Sequence, residues 1–271
     1  MNNKTQSWLG TLGSESLDTQ ETTAESLLEP LYESENPALL ANRQIFTVRG
    51  AKLEIPKLLL LGNRKGGVPL RVGLFAGLDA GRLETVAAVS RLLLQFSLTP
   101  ALAEDYALFS YPIVNPAGFS PARTSAEELQ ERWGKNPGDA DAHWFRSEFH
   151  RIAHHGIITF RSNGQNQGFA ASVRSKIIAE EVVAPAIDAM KSLVPIDKDP
   201  IRILPTNLNS RRGEFSRGRL IPVPETKPWP FEIELFAPEI ASADGRSQVL
   251  MLATLQILRG YRRFIAQGGD L

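Results

Sequence analysis

RVGLFAGLDAGRLETVAAVSRLLL, residues 71–94, is the stretch whose reading decides the fold. After Arg71, residues 72–76 are apolar on both faces, the pattern of a central strand covered by helices. The chain breaks at Gly77 to Gly81 and then carries apolar residues at 86, 89, 92, 93 and 96, a helical period that Pro100 stops. A strand that turns into a helix at the carboxyl end of an open α/β sheet is where such sheets place their chemistry. Asp79 and Arg82 in that turn are therefore the first candidate site residues.

Working outward, the chain alternates strands and helices. IFTV, KLEI, KLLLL and LRVGLFA between Ile45 and Ala76 are separated by Gly-rich turns and suit neighbouring strands of a meander. A strand from Tyr106 to Val114 runs into the turn Asn115-Pro116-Ala117-Gly118. Residues 142–154 form an amphipathic helix with Phe145, Phe149 and Ile152 on one face, followed by a strand at 157–160. Residues 169–193 read as a long helix kinked at Pro185. FEIELF, 231–236, is a strand before a final helix over about 248–266. The alternation predicts one α/β domain with a mixed, mostly parallel sheet sandwiched between helices. Residues 1–37, rich in Ser, Thr and Glu, form an acidic, loosely ordered lead-in with a short helix at 25–32; the domain proper occupies 38–271.

Composition narrows the function. At 271 residues and 42% hydrophobic content the chain suits a single domain with a sizeable core. Lys plus Arg and Asp plus Glu are 30 each, so no global field draws it to nucleic acid or an anionic membrane. The absence of cysteine excludes disulfides and thiolate metal sites. The first residues have no basic and apolar leader pattern, and no apolar run approaches the roughly 18 residues of a membrane span, so the expected location is the cytoplasm. No Gly-x-Ser-x-Gly or phosphate-loop pattern supports nucleophilic or phosphoryl chemistry.

Four segments, in order, resemble the zinc carboxypeptidase superfamily, including its succinylglutamate desuccinylase and aspartoacylase branch. They are Gly77-Leu78-Asp79-Ala80-Gly81-Arg82 in place of Gly-apolar-His-Gly-x-Glu; YPIVNPAGF, 111–119, like the strand ending in Asn-Pro-x-Gly-Phe; GIITFRSN, 156–163, in place of the strand bearing the third ligand; and PWPFEIELFAPE, 228–239, like the strand bearing the catalytic Glu. The resemblance spans residue 71 to the C-terminus. It implies that Asp79, Arg82 and Arg161 occupy the metal positions and that Glu234 occupies the general-base position. The family's Asp-Leu-Asn-Arg motif falls best on Glu128-Leu129-Gln130-Glu131, with Arg132 adjacent, in an open register.

The family holds zinc with two imidazoles and a carboxylate, leaving a place for water. Arg has no acceptor lone pair and stays protonated. A divalent ion ~4 Å from one fixed positive charge would meet a repulsion of about 8 kcal/mol at an effective dielectric of ~20. The expectation is therefore no metal and no cofactor. All four histidines, His143, His150, His154 and His155, lie within thirteen positions. We read His143, Ser147, His150 and His154 as the solvated face of a helix. His155 opens the strand that Arg161 closes, and six residues at ~3.3 Å separate them by about 20 Å, too far to replace the lost ligands.

Asp79, Arg82, Arg161 and Glu234 are expected to converge as a buried network of ion pairs, with an Arg head in the space of the metal. Arg82, Arg161, Asn115, and Arg211 and Arg212 of the loop SRRGEFSRGR are candidate binders of a small anion or carboxylate. The expected function is a catalytically inactive, zinc-carboxypeptidase-like pseudoenzyme with a binding or scaffold role. The alternatives are an active metallocarboxypeptidase or amidohydrolase whose zinc is held by other ligands, and a protein-interaction subunit using the acidic N-terminal segment or the Arg loop.

Overall fold

The computed structural model describes residues 22–48, 51–64, 68–119, 125, 128, 140–152, 154–162, 164, 166–204 and 230–268. Their strands are β1 (Leu39–Val48), β2 (Ala51–Leu61), β3 (Leu70–Phe75), β4 (Tyr106–Tyr111), β5 (Gly156–Arg161), β6 (Phe169–Val173), β7 (Ile196–Ile203) and β8 (Phe231–Phe236). The helices are α1 (Glu29–Tyr32), α2 (Leu83–Leu98), α3 (Ala140–Ile152), α4 and α5 (Ala243–Gly268). Helix α4 is α-helical over Lys176–Ile178, π-helical over Ala179–Val183 and α-helical again over Ala184–Met190. Pro185 lacks the N–H that a regular turn needs, and the wider π turn lies just before it.

All eight strands form one sheet in the order β1-β2-β4-β3-β5-β8-β6-β7. Pairing is parallel for β4/β3, β3/β5, β5/β8 and β6/β7, and antiparallel for β1/β2, β2/β4 and β8/β6. The expected mixed, mostly parallel sheet between helices is present. Strand alternation sets its two faces. Val72, Leu74, Ile158, Phe160, Ile233 and Leu235 point into the larger core with α2, α4 and α5. Phe75, Tyr111 and Ile157 point the other way, against Phe145 of α3 and against Phe46 and Ile55 of the β1–β2 hairpin.

Two expectations are corrected. The stretch 45–76 is not a meander: KLEI and KLLLL are one strand through Pro56, and β4 lies between β2 and β3. Pro56 is tolerated because β4 pairs β2 only over Leu58–Leu61, so the missing N–H interrupts no ladder there. Residues 169–193 are not one helix, because FAASV forms β6 between β8 and β7 and is buried throughout. In the lead-in, α1 lies within the short helix expected at 25–32, and Ala24, Leu28 and Leu31 are buried in the main core. Residues 1–21 lie outside the described residues.

Leu28→Ala is therefore expected to lower stability by about 2–5 kcal/mol, the range for truncating a fully buried Leu. Urea denaturation checks this; an unchanged midpoint would mean that the lead-in rests on the core without contributing to it.

Candidate functional site

The site is built where β3, β4, β5 and β8 end. Past Phe75 the chain continues beside the extension of β4, with Ala76 N donating to Tyr111 O and Asn115 N donating to Gly77 O. Gly77 makes the bend at φ +61°, and a Cβ there would lie 2.7 Å from Pro112 O, so glycine is required by conformation and by space. Asn115 is fully buried; its amide nitrogen donates to Leu78 O at 3.1 Å and its amide oxygen accepts from Gly118 N at 3.2 Å. It holds two turns together from behind the site. Thr85 Oγ accepts from Gly77 N and donates to Arg82 O, fastening the start of α2 to the same bend.

These restraints aim Asp79 at the end of β5. Arg161 Nη2 donates to Asp79 Oδ1 at 2.9 Å, and Arg161 Nε reaches Oδ1 and Oδ2 at 3.2 and 3.1 Å. Ser162 N donates to Oδ2 at 2.8 Å. Asp79 is only 8% exposed. Such a two-pronged, backbone-supported guanidinium–carboxylate pair is among the strong charge-assisted contacts. Arg161 Nη1 lies 4.0 Å from Glu234 Oε1, on the neighbouring strand.

Arg82 turns away from this pair. Its Nη1 meets Glu239 at 3.3 Å and Glu84 at 3.7 Å. Glu84, buried in the first turn of α2, accepts from Ser162 Oγ at 2.6 Å and lies 2.8 Å from Arg246 Nε. The pairs Asp79–Arg161 and Arg82–Glu239 are thus joined through Ser162 and Glu84. On the same face, Arg174 Nε donates to Glu232 at 2.6 Å. Asp79, Arg161 and Glu234 come together as expected from the sequence, while Arg82 is paired one layer out. The roles of Glu84, Ser162, Glu239 and Arg246 were not anticipated. Glu84 alone carried a hint, as an acidic residue in a helix's first turn, where the dipole favours it.

Elsewhere, Ser125 and Glu128 exchange reciprocal hydrogen bonds, N to Oε2 at 2.7 Å and N to Oγ at 3.1 Å. This is the capping-box pattern. Glu131, Arg132, Arg211 and Arg212 lie outside the described residues, as does the side chain of His150. His143 is exposed, but His154 is a correction, because α3 ends at Ile152 and the chain turns towards β5. The His154 ring is 1% exposed, edge-on to Phe75 and Phe109 at 6.4 and 5.4 Å. His155 is also buried, and its Nδ1 accepts from Arg71 N at 2.9 Å.

The side chains at the positions that the sequence resemblance assigns to the metal, Asp79, Arg82 and Arg161, do not suit zinc. Two of the three side chains there are guanidinium groups without lone pairs, and both oxygens of the third, Asp79, already accept hydrogen bonds. Among the described residues no group of three His, Cys, Asp or Glu side chains could hold a metal ion. No described helix is long and apolar enough to cross a membrane.

No protein-family model matches the chain, and no curated protein matches it in sequence. Solved structures do match in fold. A metallo-carboxypeptidase from Burkholderia cenocepacia superposes with TM-score 0.62 at 14% identity, covering 88% of this chain and 68% of that one. A metallo-carboxypeptidase from Pseudomonas aeruginosa, solved with (2-guanidinoethylmercapto)succinic acid, gives 0.56 at 14% identity, covering 87% and 68%. A Shewanella baltica protein named for a proposed metallopeptidase activity gives 0.59 at 15% identity and covers 87% of this chain and 90% of its own. The fold is zinc-carboxypeptidase-like.

Two predictions follow from this geometry. Asp79→Ala, which leaves Arg161 buried without its bidentate partner, is expected to cost about 3–5 kcal/mol. Asp79→Leu with Arg161→Met should recover most of it in urea denaturation; equal losses in both variants would mean that the pair is not the source. Second, burial and the nearby positive charge of Arg71 push the His154 pKa down to about 3 from 6.5. The unfolded chain therefore takes up a proton on this ring that the folded chain refuses, so its contribution is complete above pH 6.5 and lost as pH falls towards 3. His154→Phe should flatten the stability curve in that window, and an unchanged slope would refute the assignment.

Proposed function

We propose that this chain is a zinc-carboxypeptidase-like pseudoenzyme, a non-hydrolytic binding or scaffold protein in which a guanidinium group stands in the metal position. The observation that carries the reading is the Arg161–Asp79 pair. In the family that the sequence resembles, the metal supplies an open coordination place and lowers the pKa of bound water, and the aligned Glu takes the water's proton. A guanidinium supplies positive charge and donors, but it neither coordinates water nor acidifies it. Glu234, 4.0 Å from Arg161, is then a charge partner with no activated water to deprotonate. A carboxylate acting alone contributes little of the barrier reduction.

Within a binding role, the place that suits a small carboxylate is Arg82. Its side chain is 32% exposed, and its contacts to Glu239 and Glu84, at 3.3 and 3.7 Å, are longer than the 2.9 Å contact of Arg161 to Asp79. Arg161 is less suited, being committed to Asp79, and Asn115 is turned to backbone. A ligand carboxylate would displace Glu239, whose single contact is Oε1 to Arg82 Nη1, and take up the bidentate geometry that Arg favours.

The test is metal analysis of the purified protein beside assays on acylated amino acids and C-terminal amino-acid substrates. The expected result is substoichiometric zinc and no hydrolysis above background. Stoichiometric zinc whose removal abolishes hydrolysis would overturn the proposal and establish the active metallohydrolase in its place.

A further inference from the structure

Glu239 is the partner that a carboxylate at Arg82 must dislodge, and its own carboxylate is only half used. Oε1 accepts from Arg82 Nη1 at 3.3 Å, while Oε2 is shut off from solvent and accepts no hydrogen bond from any described residue. A carboxylate oxygen enclosed without a donor is costly and calls for a partner. The backbone of Glu239 is held at both ends: its N–H donates to Asn166 O at 2.9 Å, and its C=O accepts from Arg246 Nη1 at 3.4 Å. The side chain, 36% exposed, has its one ion pair among the described residues with Arg82.

Open room adjoins both groups. Gly164 is exposed and adopts φ +72°, and a Cβ there would lie 3.3 Å from Arg82 Nη2 and 3.9 Å from Glu239 Cδ. The left-handed backbone suits glycine, and the missing side chain leaves space bordered by the two charged heads. Charge then decides what can enter. Contacts of 3.7, 3.3 and 2.8 Å tie Arg82 to Glu84, Arg82 to Glu239 and Arg246 to Glu84, so two positive and two negative charges cancel. A guest that is only a carboxylate would take Arg82 and strand Glu239, leaving one negative charge in excess with neither oxygen paired. A guest that also carries an ammonium gives Glu239 a partner back. Its three N–H donors can serve Oε1 as well as the Oε2 that has no donor now.

We infer that the nook between Arg82, Glu239 and Gly164 takes a free α-amino acid as its zwitterion, with the carboxylate on Arg82 and the ammonium on Glu239. The inference rests on the reading of Arg82 as a carboxylate binder and narrows the ligand class. An α-amino acid carries both charges on one carbon, so it can enter between two side chains that already touch. Its carboxylate meets the Arg82 guanidinium two-pronged. Glu239, its backbone anchored, turns its carboxylate from Arg82 to the ammonium, and the local charge stays at zero. N-acylated amino acids and the C-terminal residue of a peptide carry an amide in place of that ammonium. They give Glu239 no charge partner and are excluded from tight binding.

The test is a ligand-observed NMR titration of the native chain with the common L-α-amino acids, the best of which is then compared with its N-acetyl derivative and with the acid that lacks the amino group. The free amino acid should bind about 10–100-fold more tightly than either, the range for one hydrogen bond between charged groups. Glu239→Gln keeps the side chain's size and removes its charge. It should bring the amino acid down to the level of the deaminated acid without weakening the acid. Arg82→Gln should lose both. Equal binding of the amino acid and the deaminated acid, or a preference that survives Glu239→Gln, would overturn the inference and leave the carboxylate reading of Arg82 standing. Binding of no carboxylate at all, or binding unchanged in Arg82→Gln, would overturn that reading together with the inference.

Discussion

The contact between Asp79 and Arg161 is the constraint on which the rest of the site depends. β3 and β5 are neighbouring parallel strands with Phe75 opposite Thr159, so the residues just beyond them emerge side by side into the same space. A buried charge there must be paired, and each of these two side chains makes the other tolerable. The backbone enforces the match: Ser162 N holds the second carboxylate oxygen, and Asn115 and Thr85 hold the turn that presents it. Ser162 Oγ then carries the network on to Glu84, Arg246, Arg82 and Glu239. On the proposed reading, this network is the framework of a metal site kept around a different arrangement of charge.

Much of this was legible in the sequence where periodicity is strong and local. β3, α2, β5, β8 and α5 announce themselves by unbroken apolar runs or a clear helical repeat. What was not legible depends on pairing between distant segments. Nothing in KLLLLG tells β2 that β4, some fifty residues on, will take the place beside it. FAASV is short and rich in Ala, and no Gly or Pro separates it from the helix that follows, so a helical period absorbs it. His154 was misplaced because the period of α3 was carried two residues past the helix's end.

The site divides in the same way. Asp79, Arg161 and Glu234 could be named because they stand at the ends of strands whose order could be matched to a known family. Glu84, Ser162 and Arg246 could not, because their inward direction is set by packing between α2, β5 and α5, and beyond the acidic first-turn place of Glu84 it leaves no mark in local sequence. The likeness to metallo-carboxypeptidases is one of fold, at 14% identity. The functional reading therefore rests on the side chains themselves. In the proposed reading, a guanidinium in the metal position retains the positive charge that a carboxylate-lined pocket needs and removes the open coordination place that hydrolysis needs.

The most direct measurement is anomalous diffraction at the zinc edge from crystals grown with zinc. The account predicts the Arg161 guanidinium against Asp79 and no anomalous peak between Asp79, Arg161 and Glu234. A strong peak at Asp79, with Arg161 swung out of the pocket, would contradict it.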